Sequence, residues 1–134
     1  MSLLVILALA QAVAAKVERP TECGSSGVQR ELNLCAEQEF LAADAQLNAQ
    51  WSLTAAAMRR ADRASEPHTD GRPGYFDQLL AGQRAWLAFR DAHCTSEGYH
   101  ARGGSMQPML VSGCKETLTR ERTAQLRALA NETG

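Results

Sequence analysis

The sequence predicts an all-α protein, a small disulfide-linked bundle of three main helices. Its long uninterrupted segments are rich in Ala, Leu, Gln, Glu and Arg, which favour helix, and Val, Ile and Thr nowhere alternate with polar residues as they do in strands. The 134 residues suffice for one domain, and the 5% aromatic content indicates a modest, alanine-rich core. Four cysteines, an even number in a small chain, are typical of disulfide bonds.

Residues 1–15 have the pattern of a secretory signal peptide. An apolar run at 3–10 is followed by the small residues Ala12 and Ala14, which predicts cleavage after Ala14 or Ala15. A structural helix is the alternative, although the apolar run is shorter than the about 20 residues that a bilayer span requires. We therefore expect a periplasmic or secreted protein whose mature chain has no integral membrane span.

Proline and glycine divide the rest of the chain into three helical segments. In the first segment, Leu32, Phe40 and Leu47 recur at helical spacing. Two prolines and two glycines at 64–74 end this helix, and three glycines at 95–105 predict a pliable loop. The expected boundaries are an irregular lead-in at 16–27, a helical domain at 28–130, and helices at 28–63, at 75–93 or beyond, and from 105 or 108 to about 129.

Polar side chains interrupt the apolar faces of all three predicted helices. The face expected to be buried on the second helix contains Leu80, Gln83, Trp86, Leu87, Arg90 and Cys94. A buried charge without a partner is strongly unfavourable, so we predict an interior polar network. Its expected members are Asp44, Asn48, Gln83, Arg90 and Arg122. A structural role is favoured over a catalytic cleft because no nucleophile with its base accompanies them.

The four cysteines permit more than one disulfide pattern. An up-and-down arrangement of helices places all four at one end of the bundle. The simplest pairing there is local, Cys23 with Cys35 and Cys94 with Cys114. Pairing of Cys35 with Cys94 remains open. Since the spacing is not the C-x-x-C of zinc or redox sites, we predict neither a metal site nor a free catalytic thiol.

The composition and motifs argue against several function classes. A formal net charge of −1 is unlike the basic surface of most nucleic-acid-binding domains. His68, His93 and His100 lack the i, i+4 spacing of a helical histidine pair that binds metal, and no Gly-rich phosphate motif occurs. We therefore predict a non-enzymatic binding protein without a cofactor.

A set of motifs indicates a known family. The second helix contains Gln-Arg-x-Trp-x-x-Phe-Arg-Asp-x-x-Cys between Gln83 and Cys94. The other motif positions are Cys35-Ala36, Asp44-Ala45-Gln46-Leu47-Asn48, Gly103-Gly104-Ser105, Cys114, Leu118-Thr119 and Arg122-Thr123. Together they resemble the LprI-type family of bacterial envelope proteins over about residues 23–129. The resemblance implies an exported or envelope-associated helical protein that protects peptidoglycan from lysozymes.

The resemblance implies a protein partner, with a lysozyme as the leading candidate. Lysozymes act with two carboxyl groups, so an inhibitor could donate hydrogen bonds to them from the disulfide-bounded loop. The candidate residues are Tyr99, His100, Arg102 and Ser105. Alternatively, the acidic face of the first helix could meet the basic surface of a lysozyme through Glu31, Glu37 and Glu39. A periplasmic interaction module that binds a different partner is the second functional hypothesis.

Overall fold

The computed structural model describes residues 23–133, and the chain in this range is helical, as predicted, with no strand. Helix α1 spans Gln29–Ala64, α2 spans Tyr75–Gly98, a short 3-10 helix spans Tyr99–Ala101, and α3 spans Gln107–Thr133. The expected signal peptide and residues 16–22 of the lead-in lie outside the described range. Helix α3 continues three residues beyond the predicted end of the domain at residue 130.

The three helices run up, down and up. Helices α1 and α3 are parallel and share the most extensive contact. Gln29 reaches Met109 near the start of both helices, and Thr133 reaches Met58 near their ends. Helix α2 is antiparallel to both. None of the helices among the described residues is long and apolar enough to cross a lipid bilayer.

The start of α2 is fixed to the end of α1 by a carboxylate. Asp62 accepts hydrogen bonds from the backbone N–H groups of Tyr75, at 2.7 Å, and Phe76, at 3.1 Å. These are among the first N–H groups of α2, which have no partner within their own helix. A Cβ atom at Gly74 would lie 2.7 Å from Asp62 Oδ1, so the close approach depends on glycine.

The apolar core lies between the three helices. Its members are Leu47, Ala55, Met58, Leu79 and Leu126, with Trp51, Phe76, Trp86 and Leu129 packed against them.

Two expectations for the buried face of α2 were wrong. Leu79 rather than Leu80 is the buried residue of its turn, and Leu87 is 37% exposed. The indole of Trp86 packs against the core on that turn, so its neighbour Leu87 lies toward the surface.

Two disulfide bonds join Cys23 to Cys35 and Cys94 to Cys114. This is the local pairing, and it excludes a bond between Cys35 and Cys94. The first bond ties the lead-in to α1. The second joins α2 to α3, with Cys94 fully buried.

The predicted loop at 95–105 was largely wrong, because α2 continues to Gly98 and a 3-10 helix follows it. Gly98, the last residue of α2, permits a close contact between α2 and α3. A Cβ atom at this position would lie 2.4 Å from Val111 Cγ2 of α3. Residues 99–106 are named the α2–α3 turn below.

Candidate partner-binding site

Arg90 is the centre of a buried polar cluster. Its side chain is 8% exposed, and its Nη1 donates to Asp44 Oδ1 at 3.3 Å and to Thr119 Oγ1 at 3.2 Å. Its Nε donates to Asp91 Oδ1 at 3.0 Å. The guanidinium therefore has a carboxylate partner on α1, a hydroxyl partner on α3 and a second carboxylate on its own helix.

Aromatic rings complete the environment of this guanidinium. The Arg90 Cζ lies 5.2 Å from the ring centroid of Phe40 and 5.1 Å from that of Trp86. Lys115 Nζ lies 3.8 Å from the Asp91 carboxylate. Each charge in this cluster faces an opposite charge or an aromatic face, which is the arrangement of a structural ion-pair network.

Gln83 and Arg122 form a second polar contact, separate from the Arg90 cluster. Arg122 Nε donates to Gln83 Oε1 at 2.9 Å, and its Nη1 donates to Gln125 Oε1 at 3.1 Å. Burial lowers the pKa of the Arg122 guanidinium from its ordinary value. Among residues 23–133, no fully buried side-chain nitrogen or oxygen lacks a hydrogen-bond partner.

The structure does not place Asn48 in either cluster. Asn48 is exposed, and the bond that it makes there is through its backbone carbonyl, which accepts from the Ser52 hydroxyl at 3.3 Å. Leu47 occupies the core on this turn of α1. Because successive helical residues are rotated by about 100°, Asn48 faces solvent.

Three hydrogen bonds hold the base of the α2–α3 turn. Asn33 Nδ2 of α1 donates to the carbonyl of Ser105 at 2.9 Å. The amide of Gly103 donates to Gln107 Oε1 at 3.0 Å, and the amide of Gly104 donates to the carbonyl of Ala101 at 2.9 Å. Gly103 has a φ of 78°, which glycine adopts without strain.

Polar and aromatic side chains project from this turn. Tyr99 is 48% exposed, and the Arg102 Cζ lies 4.6 Å from the centroid of its ring. Among the described residues, Arg102 forms no ion pair with a carboxylate. His100 and Ser105 are also exposed. Of the four predicted binding residues, the structure brings Tyr99 and Arg102 into direct contact.

A groove lies beside the turn, between the beginnings of α1 and α3. It has a volume of about 830 Å³. Asn33, Leu34 and Glu37 line one side, and Ser105, Pro108 and Val111 line the other. Ser105 therefore belongs to the groove, whereas Tyr99, His100 and Arg102 lie outside its lining.

The three glutamates of the acidic alternative do not form one unpaired patch. Glu39 lies 3.7 Å from Arg120 of α3, measured between carboxylate and guanidinium atoms. Glu31 accepts a hydrogen bond from the Ser26 hydroxyl, and Glu37 lines the groove. The negative charge on this face is therefore divided between different local environments.

A cluster that the sequence reasoning missed lies where α2 meets α3. His93 Nε2 is 3.1 Å from Glu97 Oε1, and these atoms and the Cys114 sulfur all lie within 4.8 Å of one another. The i, i+4 spacing of His93 and Glu97 is visible in the sequence. Only the fold brings Cys114 of α3 beside them.

These features define a small helical protein with two disulfides, a buried polar interior whose hydrogen bonds are satisfied, and an exposed turn that is hydrogen-bonded at its base. The chain belongs to the family described as Lysozyme inhibitor LprI, which matches residues 21–126. It is 45% identical over 108 residues to an uncharacterized protein of Rhizobium meliloti (strain 1021). The aligned region covers 81% of this chain and 78% of that protein. No solved structure matches the chain.

Proposed function

We propose that this protein is a non-enzymatic inhibitor of a lysozyme and that it acts in the periplasm or after secretion. Family membership supports the target class, since the family is named for lysozyme inhibition. The observation that carries the mechanism is the exposed Arg102 guanidinium, which stacks on Tyr99 and forms no ion pair with a carboxylate of residues 23–133.

The proposed contact places Arg102 against the carboxyl groups of the lysozyme cleft. A glycosidase of this type hydrolyses its substrate with two carboxyl groups. An arginine can donate two parallel hydrogen bonds to one carboxylate, and such charge-assisted bonds are stronger than neutral ones. Arg102 would thus bind the catalytic groups and exclude the glycan.

The rigidity of the turn supports this mode of binding. The Cys94–Cys114 disulfide fixes the helices that carry it, and the bond from Asn33 to Ser105 fixes its far side. A binding segment that is ordered before association loses less conformational entropy when it binds. Side chains on such a segment are suited to a narrow enzyme cleft.

The groove beside the turn favours a second candidate function, a periplasmic module that binds another protein. Leu34 is 49% exposed, and Pro108 and Val111 also line the groove, so an apolar side chain of a partner could be buried there. This function would require no contact between Arg102 and a lysozyme. The two functions are therefore separable by substitution at the turn.

The deciding experiment titrates oxidised mature protein against a panel of lysozymes and follows peptidoglycan lysis. We expect stoichiometric inhibition of at least one enzyme. Arg102→Ala should raise the concentration for half-inhibition at least about tenfold, the effect of losing about 1.4 kcal/mol of binding free energy. The matched control is Arg127→Ala, which changes an exposed arginine on α3 and should leave inhibition unchanged.

Two other results would redirect the proposal. Full inhibition by the Arg102 variant, with loss on replacing Glu31, Glu37 and Glu39 by glutamine, would assign binding to the acidic face. Absence of inhibition by the unaltered protein at micromolar concentration would overturn the lysozyme proposal and leave the interaction module.

Amino-terminal sequencing of the exported protein tests the proposed cleavage after Ala14 or Ala15.

A further inference from the structure

Four potential metal-binding side chains, two of them exposed and two buried, lie around the second disulfide where α2 meets α3. His93 and Glu97 lie on adjacent turns of α2, with His93 Nε2 and Glu97 Oε1 3.1 Å apart. Together with the Cys114 sulfur, these atoms lie within 4.8 Å of one another. The fourth group is Cys94, whose sulfur is bonded to that of Cys114.

An open cavity reaches this cluster from solvent. It has a volume of about 330 Å³, and Glu97 and Cys114 are both part of its lining. Leu110, Gly113 and Leu118 are also part of its lining. A single water occupies about 30 Å³, so the cavity can admit an ion with coordinated water or a small reductant.

The oxidation state of the cysteines decides what this cluster can bind. A disulfide offers no thiolate, and the thiolate is the form that binds metal. When the bond is reduced, the cluster contains two thiols, one imidazole and one carboxylate. Thiolates and imidazole are preferred ligands of Zn²⁺, and four ligands complete its usual tetrahedral coordination.

We propose that reduction of the Cys94–Cys114 disulfide converts this cluster into a Zn²⁺ site formed by His93, Cys94, Glu97 and Cys114. A dithiol reductant gives two electrons and two protons to the disulfide and becomes a disulfide itself. The ion then binds the two protein sulfurs as thiolates and releases their two protons to solvent. No covalent bond of the chain other than the disulfide changes.

Contacts on both sides of the disulfide keep its two cysteines adjacent after reduction. One turn before Cys94, Arg90 Nη1 donates to Thr119 Oγ1 at 3.2 Å. One turn after it, Gly98 lies against Val111 so closely that a Cβ atom there would be 2.4 Å from Val111 Cγ2. The Cα atoms of Cys94 and Cys114 are 5.4 Å apart, and these flanking contacts would hold that spacing.

A neighbouring ring orients the imidazole. Phe89 stacks on His93 with ring centroids 5.2 Å apart and an interplanar angle of 13°. The stacking leaves His93 Nε2 directed toward Glu97. Binding would replace this hydrogen bond by bonds from both residues to the ion, with only side-chain rotations.

The test uses Co²⁺ as a spectroscopic substitute for Zn²⁺ in anaerobic protein that has been reduced with a phosphine. Circular dichroism must first show that the reduced protein is helical. The expected result is one equivalent of Co²⁺ with thiolate-to-metal charge-transfer absorption, displaced by Zn²⁺. The same absorption is expected in a Cys23→Ser/Cys35→Ser variant. Oxidised protein should not show it.

Matched substitutions separate this site from nonspecific binding. His93→Ala and Glu97→Gln should each weaken Co²⁺ binding at least tenfold, whereas His100→Ala, which removes an exposed histidine outside the cluster, should have no effect. Unchanged binding in His93→Ala, or retention of the absorption in Cys94→Ser/Cys114→Ser, would overturn the proposal.

A second measurement uses the unaltered chain. Zn²⁺ should slow alkylation of Cys94 and Cys114 in reduced protein at least tenfold, as measured by peptide mass spectrometry, and should leave Cys23 and Cys35 reactive. Equal alkylation with and without Zn²⁺ would contradict the site. Lysozyme inhibition by the oxidised protein is measured separately, so failure of either proposal is distinguishable from failure of the other.

Discussion

Arg90 and Arg102 show two uses of the same side chain in one small protein. Both guanidiniums lie over aromatic rings, Arg90 over Phe40 and Trp86 and Arg102 over Tyr99. Arg90 is 8% exposed and paired with carboxylates. Arg102 is exposed and forms no ion pair within residues 23–133. The two arginines therefore differ in whether carboxylates of the described residues balance their positive charge.

This difference separates stability from binding. Removing one member of a buried ion pair is strongly destabilising because the remaining charge has lost its partner. An exposed arginine contributes little to stability, but its donors remain available to another molecule. We therefore expect substitutions in the Arg90 cluster to change unfolding and those in the α2–α3 turn to change inhibition.

The largest expected effect on stability is that of Arg90→Ala. It removes the guanidinium that joins Asp44 of α1 to Thr119 of α3 and leaves a space between two aromatic rings. We expect the free energy of unfolding in urea to fall by about 3 kcal/mol. Lysozyme inhibition by the folded fraction should be unchanged.

A double-mutant cycle tests whether Asp44 and Arg90 act as a pair. Asp44→Ala, Arg90→Ala and the double variant should give an interaction free energy on the order of 1 kcal/mol. Asp44 is 34% exposed, so solvent screens part of the attraction and the coupling should be moderate. Additive losses of stability would show that the contact does not contribute to folding.

The two disulfides provide the next comparison, since only one of them carries the turn. Their closed segments span 20 and 12 residues, and chain entropy predicts that removing either bond costs up to about 3 kcal/mol. Cys94→Ser/Cys114→Ser should also weaken inhibition, because non-covalent contacts alone then order the helices that carry the turn. Cys23→Ser/Cys35→Ser should leave inhibition intact. Equal inhibition by both variants would remove the disulfide from the binding mechanism.

Gly98 lies between the two regions and is buried against α3, so a substitution there should affect stability. Gly98→Ala places a methyl group 2.4 Å from Val111 Cγ2, so the Val111 side chain or the two helices must shift, at a cost of about 1–3 kcal/mol. Gly113→Ala is the matched control, since a Cβ atom there meets nothing within 4 Å. Thermal unfolding should show a lower midpoint for the first variant and an equal or higher one for the second. Equal midpoints would show that the contact can relax.

The helices could be predicted from sequence because apolar residues recur along each of them with the period of a helix. The loop at 95–105 could not, because glycine usually interrupts helices. At Gly98 the absence of a side chain instead serves a helix contact with Val111, which is not visible until α3 is placed. The glycine that predicts a loop from the sequence instead allows two helices to pack closely in the fold.

The polar interior and its central pair were predictable from sequence, but not its full membership. Spacing placed Asp44 and Arg90 on facing stripes, and the fold brings their side chains together. Asn48 is not part of the polar interior, because the rotation between successive helical residues places Leu47 in the core and Asn48 at the surface. The cluster of His93 and Glu97 with Cys114 depends on contact between two helices that are distant in sequence.

The smallest expected effect comes from Asn33, which connects the rigid scaffold to the turn. Its Nδ2 donates to the Ser105 carbonyl at 2.9 Å, while its Oδ1 accepts from Gln29 at 2.9 Å. Asn33→Ala removes both hydrogen bonds at a half-buried site, so the free energy of unfolding should change by about 1 kcal/mol or less. Inhibition should weaken only a few-fold, because Arg102 remains and must be ordered upon binding.

Asn48→Ala is the control for Asn33→Ala, since the Asn48 side chain is exposed and makes no hydrogen bond within the described residues. It should match the unaltered protein in both stability and inhibition. If Asn33→Ala weakens inhibition as much as Arg102→Ala, the groove lined by Asn33 contacts the partner directly. If it has no effect, the turn is held by Gly103, Gln107 and the disulfide without help from α1.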